Sequence, residues 1–211
     1  MIVRSVVTQV GPSCFTIPRE LTYDTALNSL RSNPVAELAK LRGAALGSLA
    51  APVTLPGAGG PALAVFDAGK TSVTSDMELI VAVPTEGLSF GVAIMAADRD
   101  TAEIILHVHA GPSGSDGLRP VNLSVTSAGK PYAAGSFVVP SDEKTMAVRV
   151  LADRMLAEIF VASGRAVVAV PVAAPGKAPK NAGAYVFADK TSVTVKSADA
   201  WRMGCGWARY P

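Results

Sequence analysis

The chain is expected to fold as an all-β, two-layer antiparallel β-sandwich of the concanavalin or jelly-roll kind, preceded by an extended strand and a short linker helix. Three observations predict this. Short apolar runs recur at close spacing from residue 62 onward, and Gly, Pro, Asp and Ser clusters separate most of them. Inside the runs, side chains alternate with a period of two, as on a pleated strand. Helical spacing is confined to one stretch before residue 43. With 211 residues, 49% hydrophobic and 17% charged, the chain is long and apolar enough to bury a core.

In order, residues 2–10 read as one strand that Gly11-Pro12 ends. "SCFTIPREL" continues extended, because Pro18 keeps Ile17 out of the helical region. Leu27, Leu30, Val35, Leu38 and Leu41 then follow a helical spacing. It predicts a helix over 34–42, with Asn33 as N-cap, Pro34 at the first helical position, Glu37 in the early turns and Gly43 just past the end. A helical turn over 24–31 is expected before it. The Pro- and Gly-rich stretch after residue 51 reads as a loop leading into a strand. Strands are predicted at 62–67, 76–83, 88–97, 102–109, 120–127, 135–139, 145–152, 155–161, 165–172, 183–188, 191–196 and 199–207. The chain thus divides into 1–43, strand and linker helix, and 44–211, the sandwich.

The alternation is clearest in "TMAVRVLAD", where Met146, Val148, Val150 and Ala152 point one way and Ala147, Arg149, Leu151 and Asp153 the other. Neither face is wholly polar, as expected of a sheet covered on both sides along part of its length. "VFDAGKTSVTSD" at 65–76 echoes "VFADKTSVTVKSAD" at 186–199, which reads as two similar hairpins and not a repeat array.

Net charge is +2 with Lys and Arg scattered, which argues against a nucleic-acid binder. No apolar run approaches the length of a spanning helix, so no membrane partner is expected. The N-terminal stretch is broken by Ser5, Thr8 and Gln9 and makes a poor signal peptide, and the compartment stays open. Cys14 and Cys205 are either two thiols or a long-loop disulfide, which sequence does not decide.

Candidate chemistry is sparse. His107 and His109 share one strand face but lack a third ligand, although Asp116 is near in sequence, and no metal or cofactor is expected. Neither a nucleophile elbow nor a phosphate-cradling loop is present. Asp153 and Glu158 have the residue types of a sugar-cleaving acid pair. Asp153 nevertheless sits where Asp starts turns, and Glu158 has Arg149 and Arg165 as candidate cross-strand partners. These four are therefore read as a turn and ion-pair set. The tail "SADAWRMGCGWARYP" carries Trp201, Trp207 and Tyr210, with Arg202 beside them; such rings pack in cores and also stack on sugars.

"VRVLADRMLAEIFVASGRAVVAVPV" at 148–172 resembles the C-terminal β-sandwich module of glycoside hydrolase family 32, the invertases, levanases and inulinases. The pattern Arg-Val-Leu-Val-Asp-x-Ser-x-Val-Glu-x-Phe is met at Arg149, Val150, Leu151, Asp153, Glu158, Phe160 and Gly164 of the following tip, with Met155 and Ala157 in place of Ser and Val. "VKSADAWRM" at 195–203 is similar to the closing strand of that module. "TIPREL" and "NPVAELAKLRG" are similar to the junction leading into it. The resemblance implies a catalytic propeller elsewhere, marked by Asn-Asp-Pro-Asn-Gly, Arg-Asp-Pro and Glu-Cys. None of these occurs here, and the "DRD" at 98–100 lacks the Pro. No position inherits a catalytic role.

The expectation is therefore a non-catalytic carbohydrate-binding or interaction module, with a glycan contacting Trp201, Arg202, Trp207 and Tyr210. The alternatives are the C-terminal part of a split or truncated β-fructofuranosidase that needs a separate propeller chain, and a purely structural assembly domain. The apolar Ile2, Val3, Val6, Val7 and Val10 must be covered by the sandwich or a partner, so a homo-oligomer or a separate partner chain is expected.

Overall fold

The computed structural model describes residues 2–3, 6–7, 14–57, 59–66, 74–153, 156–172 and 183–204. Three short strands come first: β1 (Ile2–Val3), β2 (Val6–Val7) and β3 (Cys14–Phe15). A hairpin follows, β4 (Arg19–Asp24) and β5 (Ser29–Pro34), then a single 3-10 helix, η1 (Ala36–Leu41). Strands follow: β6 (Arg42–Ser48), β7 (Val53–Leu55), β8 (Leu63–Phe66), β9 (Ser75–Ala82), β10 (Leu88–Ala96), β11 (Ala102–Ala110) and β12 (Leu118–Ser127). Then come β13 (Lys130–Pro140), β14 (Thr145–Asp153), β15 (Leu156–Val161), β16 (Ala166–Pro171), β17 (Gly183–Ala188) and β18 (Val193–Met203).

Two antiparallel sheets make the sandwich. One has the order β13-β12-β11-β10-β17-β8, the other β16-β15-β14-β9-β18-β6 with β7 also on β18. Alternate residues of facing strands meet between them. Met77, Leu79 and Val81 of β9 and Met146, Val148 and Val150 of β14 join Phe90, Val92, Leu106 and Val108 of the opposite sheet in one buried core. The predicted two-layer all-β fold is the observed one.

The region before residue 62 differs from expectation. Residues 24–31 form the end of a hairpin and not a helical turn. Asp24 closes it by accepting the Ala26 N–H at 3.2 Å, and Asn28 takes a φ of 49°, a conformation Asn tolerates. The apolar spacing of Leu27 and Leu30 mimicked a helix across this turn. The helix over 34–42 shrinks to η1. Asn33 and Pro34 belong to β5, Val35 holds the N-cap position without a side-chain hydrogen bond, and β6 starts at Arg42. Of the expected strand 2–10, the described residues form β1, which pairs with β4, and β2, which pairs with β3; residues 4–5 and 8–10 lie outside them.

Two further strands, β6 and β7, were not expected from the sequence. β6 is Ala- and Gly-rich with weak strand propensity, and β7 is only Val-Thr-Leu set between Pro52 and Pro56; pairing with β18 makes both strands. Gly47 is required there: a Cβ would lie 1.9 Å from the Val65 carbonyl oxygen of β8. Conversely, within the described residues the two strands expected at 191–196 and 199–207 are one, β18, with its register shifting between Val195 and Ser197; residues 205–207 lie outside them. That irregularity breaks the alternation and splits one strand into two apparent ones.

Candidate functional site

The outer face of the seven-stranded sheet carries the charged side chains that the core excludes. On β9, Asp76, Glu78 and Ile80 alternate with the buried Met77, Leu79 and Val81. Register then decides their neighbours. Glu78 lies opposite Arg149 of β14 on one side and Asp199 of β18 on the other, and Asp76 lies opposite Leu151 and Trp201. Two carboxylates facing each other across adjacent strands repel. The face is stable because two guanidiniums lie over it.

Arg149 binds Asp76 through two nearly parallel hydrogen bonds, Nε to Oδ1 at 2.9 Å and Nη2 to Oδ2 at 2.8 Å. Arg42, from the start of β6, donates Nε to Asp76 Oδ2 at 2.7 Å and Nη2 to Glu78. Asp76 is 0% exposed, so it holds both arginines from a position closed to bulk solvent. Burial works against the Arg42 charge. The hydrogen bonds to Asp76 and Glu78, with their charges, outweigh it and hold the guanidinium above the ordinary arginine range. Asp199 is positioned separately, accepting from the Ser48 hydroxyl at 2.6 Å.

Beside this cluster runs a groove of about 330 Å³. Ile80, Ala147 and Phe160 give it apolar lining, and Glu78, Arg149, Ser197, Asp199, Asn33 and Ser163 give it donors and acceptors. One wall is the β4–β5 hairpin. Glu158 ties that hairpin down: buried to 2% exposure, it accepts the Ile17 N–H at 2.6 Å and pairs with Arg19. The Ser32 N–H donates to the Gly164 carbonyl at 2.9 Å, which fixes the β15–β16 tip under β5.

The residues singled out in the sequence fall as follows. Glu158, Arg149 and Arg165 are all in ion pairs, but not with one another. Arg149 turns to Asp76 and Glu78; Arg165 donates to Asp24 at 3.1 Å and to Glu143 at 2.7 Å. Glu158 stands opposite Leu151, so Arg149 is only its diagonal neighbour. Asp153 is exposed at the end of β14. Trp201 lies on the outer face, where the Arg42 guanidinium sits 3.8 Å from its ring centroid and covers that ring face. Arg202 is exposed at the next position. Trp207, Tyr210 and Cys205 lie outside the described residues. Sequence reasoning missed Asp76, Glu78, Arg42 and Arg19. The one signal for the first two was a pair of acids at alternate positions between apolar residues.

His107 does not turn to a metal set. Its Nδ1 lies 3.1 Å from Asp189 Oδ2, the oxygen that also accepts from the Ser89 hydroxyl at 3.2 Å. Asp116 accepts the Leu118 N–H at 3.0 Å, and among the described residues no group of three metal-binding side chains occurs.

Depressed carboxyl groups, Asp24 and Asp189 among them, link stability to acid. Arg31, hydrogen-bonded to Asp24, holds its carboxyl below the ordinary value of 3.8; burial opposes this and Arg165 reinforces it. At Asp189 burial pushes the carboxyl up, but the hydrogen bond and charge of His107, helped by Ser89 and Arg99, leave it below 3.8. A carboxylate depressed in the folded state stabilises above its unfolded value, and that contribution is lost as pH falls through the folded one. Thermal melts are therefore expected to fall steadily from about pH 4 downward, and D24N to flatten that slope. An equal slope in D24N would show that Asp24 does not carry it.

No family model matches the chain, and no curated protein does. Solved structures match closely in fold. Fructan 1-exohydrolase IIa from Cichorium intybus superposes with a TM-score of 0.72 at 17% identity, over 91% of this chain and 41% of that one. Sucrose-6-phosphate hydrolase from Lactobacillus gasseri gives 0.56 at 15% identity over 92% and 34%, and exo-inulinase from Aspergillus awamori 0.56 at 15% over 92% and 37%. The chain thus spans less than half the length of each enzyme it matches. At these identities the likeness is one of fold, and in fold the chain resembles the C-terminal β-sandwich module of glycoside hydrolase family 32.

Proposed function

We propose that this chain is a non-catalytic carbohydrate-binding module and that a short neutral saccharide occupies the groove across β9, β14 and β18. The observation that carries this reading is the groove itself. It is concave, and its polar groups are fixed before any ligand arrives: Arg149 and Glu78 by Asp76 and Arg42, Asp199 by Ser48. Fixed acceptors and donors around an apolar floor suit a ring with hydroxyls on its rim and C–H bonds on its face. Glu78 and Asp199 outnumber the one lining guanidinium, Arg149, so the groove disfavours anionic sugars and suits neutral ones. The catalytic motifs of the resembled family are absent from the sequence, which supports binding without cleavage.

Calorimetric titration with sucrose, inulin oligosaccharides and other neutral sugars tests the reading. Saturable binding is expected, and Ala147→Trp, which fills the groove from an outward position, is expected to abolish it while the circular dichroism spectrum is unchanged. Heats that stay flat with every sugar, or binding unaffected by A147W, would overturn it. A second reading, the C-terminal part of a split β-fructofuranosidase, is favoured by the share of enzyme length the chain spans. It predicts turnover of sucrose or inulin only when a propeller chain is added.

A further inference from the structure

The tip between β15 and β16 keeps three consecutive residues in the left-handed region. Ala162, Ser163 and Gly164 have φ of 51°, 55° and 80°, where only glycine is free of strain. Distant ties hold the tip in this form. The Ala162 N–H donates to the Ala147 carbonyl at 2.8 Å, the Gly164 carbonyl accepts the Ser32 N–H at 2.9 Å, and Arg165 is bound to Asp24 and Glu143. Two of the three residues have a structural reason to be there. A Cβ on Gly164 would lie 2.5 Å from the Ser32 carbonyl oxygen, so glycine is required. Ala162 is fully buried and belongs to the core. Ser163 has no such reason. It is exposed, and its hydroxyl makes no hydrogen bond among the described residues. Glycine would hold the same turn with less strain. What Ser163 does have is a place in the lining of the groove.

Register shows which end of the groove it occupies. Ser197, Ile80 and Ala147 form one row across β18, β9 and β14, and the hydrogen bond from Ala162 to Ala147 continues that row into the tip. Asp199, Glu78, Arg149 and Phe160 form the next row. The floor is therefore a strip that crosses four strands, with β18 at one end and Ser163 at the other. At the ordinary strand spacing it spans about 14 Å, longer than one sugar ring.

We propose that Ser163 is a specificity-determining contact for an oligosaccharide laid across these strands, its hydroxyl bonding the ring farthest from β18. The proposal rests on the saccharide reading of the groove and narrows it to chains of two or more rings. A single ring held at the β18 end does not reach Ser163. The strained residue is kept because serine offers a donor and an acceptor at the rim, where glycine offers neither.

The test pairs calorimetric titration with urea unfolding, on the full chain. The ligands are neutral trisaccharides of the inulin, malto and cello series and their monosaccharides. The wild type is expected to bind one trisaccharide series more tightly than its monosaccharide. Ser163→Ala keeps the strain and removes the hydroxyl. Its affinity for that trisaccharide is expected to fall about five- to tenfold, the worth of one hydrogen bond, with the urea midpoint close to that of the wild type. Ser163→Gly removes hydroxyl and strain together. The same loss of affinity is expected with a raised midpoint, which separates a lost contact from misfolding. If the wild type binds no sugar, the groove reading and this proposal fall together. If it binds a trisaccharide and both variants bind it equally well, only the role of Ser163 falls. A Ser163→Gly midpoint no higher than that of the wild type would also overturn the proposal, because serine would then need no reason beyond the fold.

Discussion

Replacing Asp76 with asparagine is expected to lower the stability of the sandwich by about 3–5 kcal/mol in urea unfolding, the range for removing one partner of a buried ion pair. Asp76 is fully enclosed and serves Arg42 and Arg149 at once. The amide keeps the shape but loses the charge, and it turns N–H donors toward two guanidiniums that are themselves only about one-fifth exposed. Glu78 cannot take over, because it is 40% exposed and already bound by Arg42. A loss under about 1 kcal/mol, the range of a surface pair, would mean that water reaches the cluster when the charge is removed. The double variant D76N/R149M separates the two possibilities, because removing both charges restores much of the loss only if the pair is desolvated. The same variant bears on the groove. Arg149 lines it, and without Asp76 its guanidinium is no longer held in one orientation, so saccharide affinity is expected to fall together with stability.

Glu158→Gln is expected to have an effect of about 3 kcal/mol but in a different place. Glu158 is the buried anchor of the segment before the sandwich: one oxygen takes the Ile17 N–H and the other pairs with Arg19, whose guanidinium lies 5.3 Å from the Phe160 ring. Glutamine still accepts from Ile17 but leaves the Arg19 charge, 14% exposed, without its partner. The sandwich core does not include these residues, so opening is expected to be local and to free β4 and β5. Limited proteolysis within residues 16–34 is expected to speed up by about 100-fold, the equivalent of about 3 kcal/mol where opening is faster than cleavage. Cleavage at the wild-type rate, with a lowered global unfolding midpoint, would place Glu158 in the core and not in a latch. The opening also removes the wall of the groove that Asn33 and Pro34 provide, so binding and latch integrity are expected to fall together.

Much of the sandwich was legible before the structure. β9 to β12, β14, β15 and β17 declare themselves through alternation and turn residues, which are local properties. Turn chemistry bounds a strand wherever Asp, Gly or Pro stands, as at Asp98, whose carboxylate accepts the N–H groups of Asp100 and Thr101. The failures share a cause. The 24–31 stretch has apolar spacing that fits a helix, yet cross-strand pairing between Tyr23 and Leu30 and the anchoring of Asp24 by Arg31 and Arg165 decide for a hairpin. β6 has little strand character of its own and β7 is three residues between prolines, and both exist because β18 offers them a ladder. In each case a distant partner overrode a local preference.

The groove was less legible still. Glu158 and Arg149 were recognisable as ion-pair residues from their positions in apolar strands, but the partners chosen for them were neighbours in sequence. The actual partners come from 139 residues away for Glu158, at Arg19, and 73 for Arg149, at Asp76. The sequence alone determined that this chain is layered antiparallel sheet and lacks the acidic motifs of the enzymes it resembles, because alternation and motif are written in consecutive residues. Only the tertiary structure decided which carboxylate meets which guanidinium, that Trp201 is capped by Arg42, and that the hairpin walls a groove. Those outcomes depend on strand order and register, and register is set by the packing of all the strands at once.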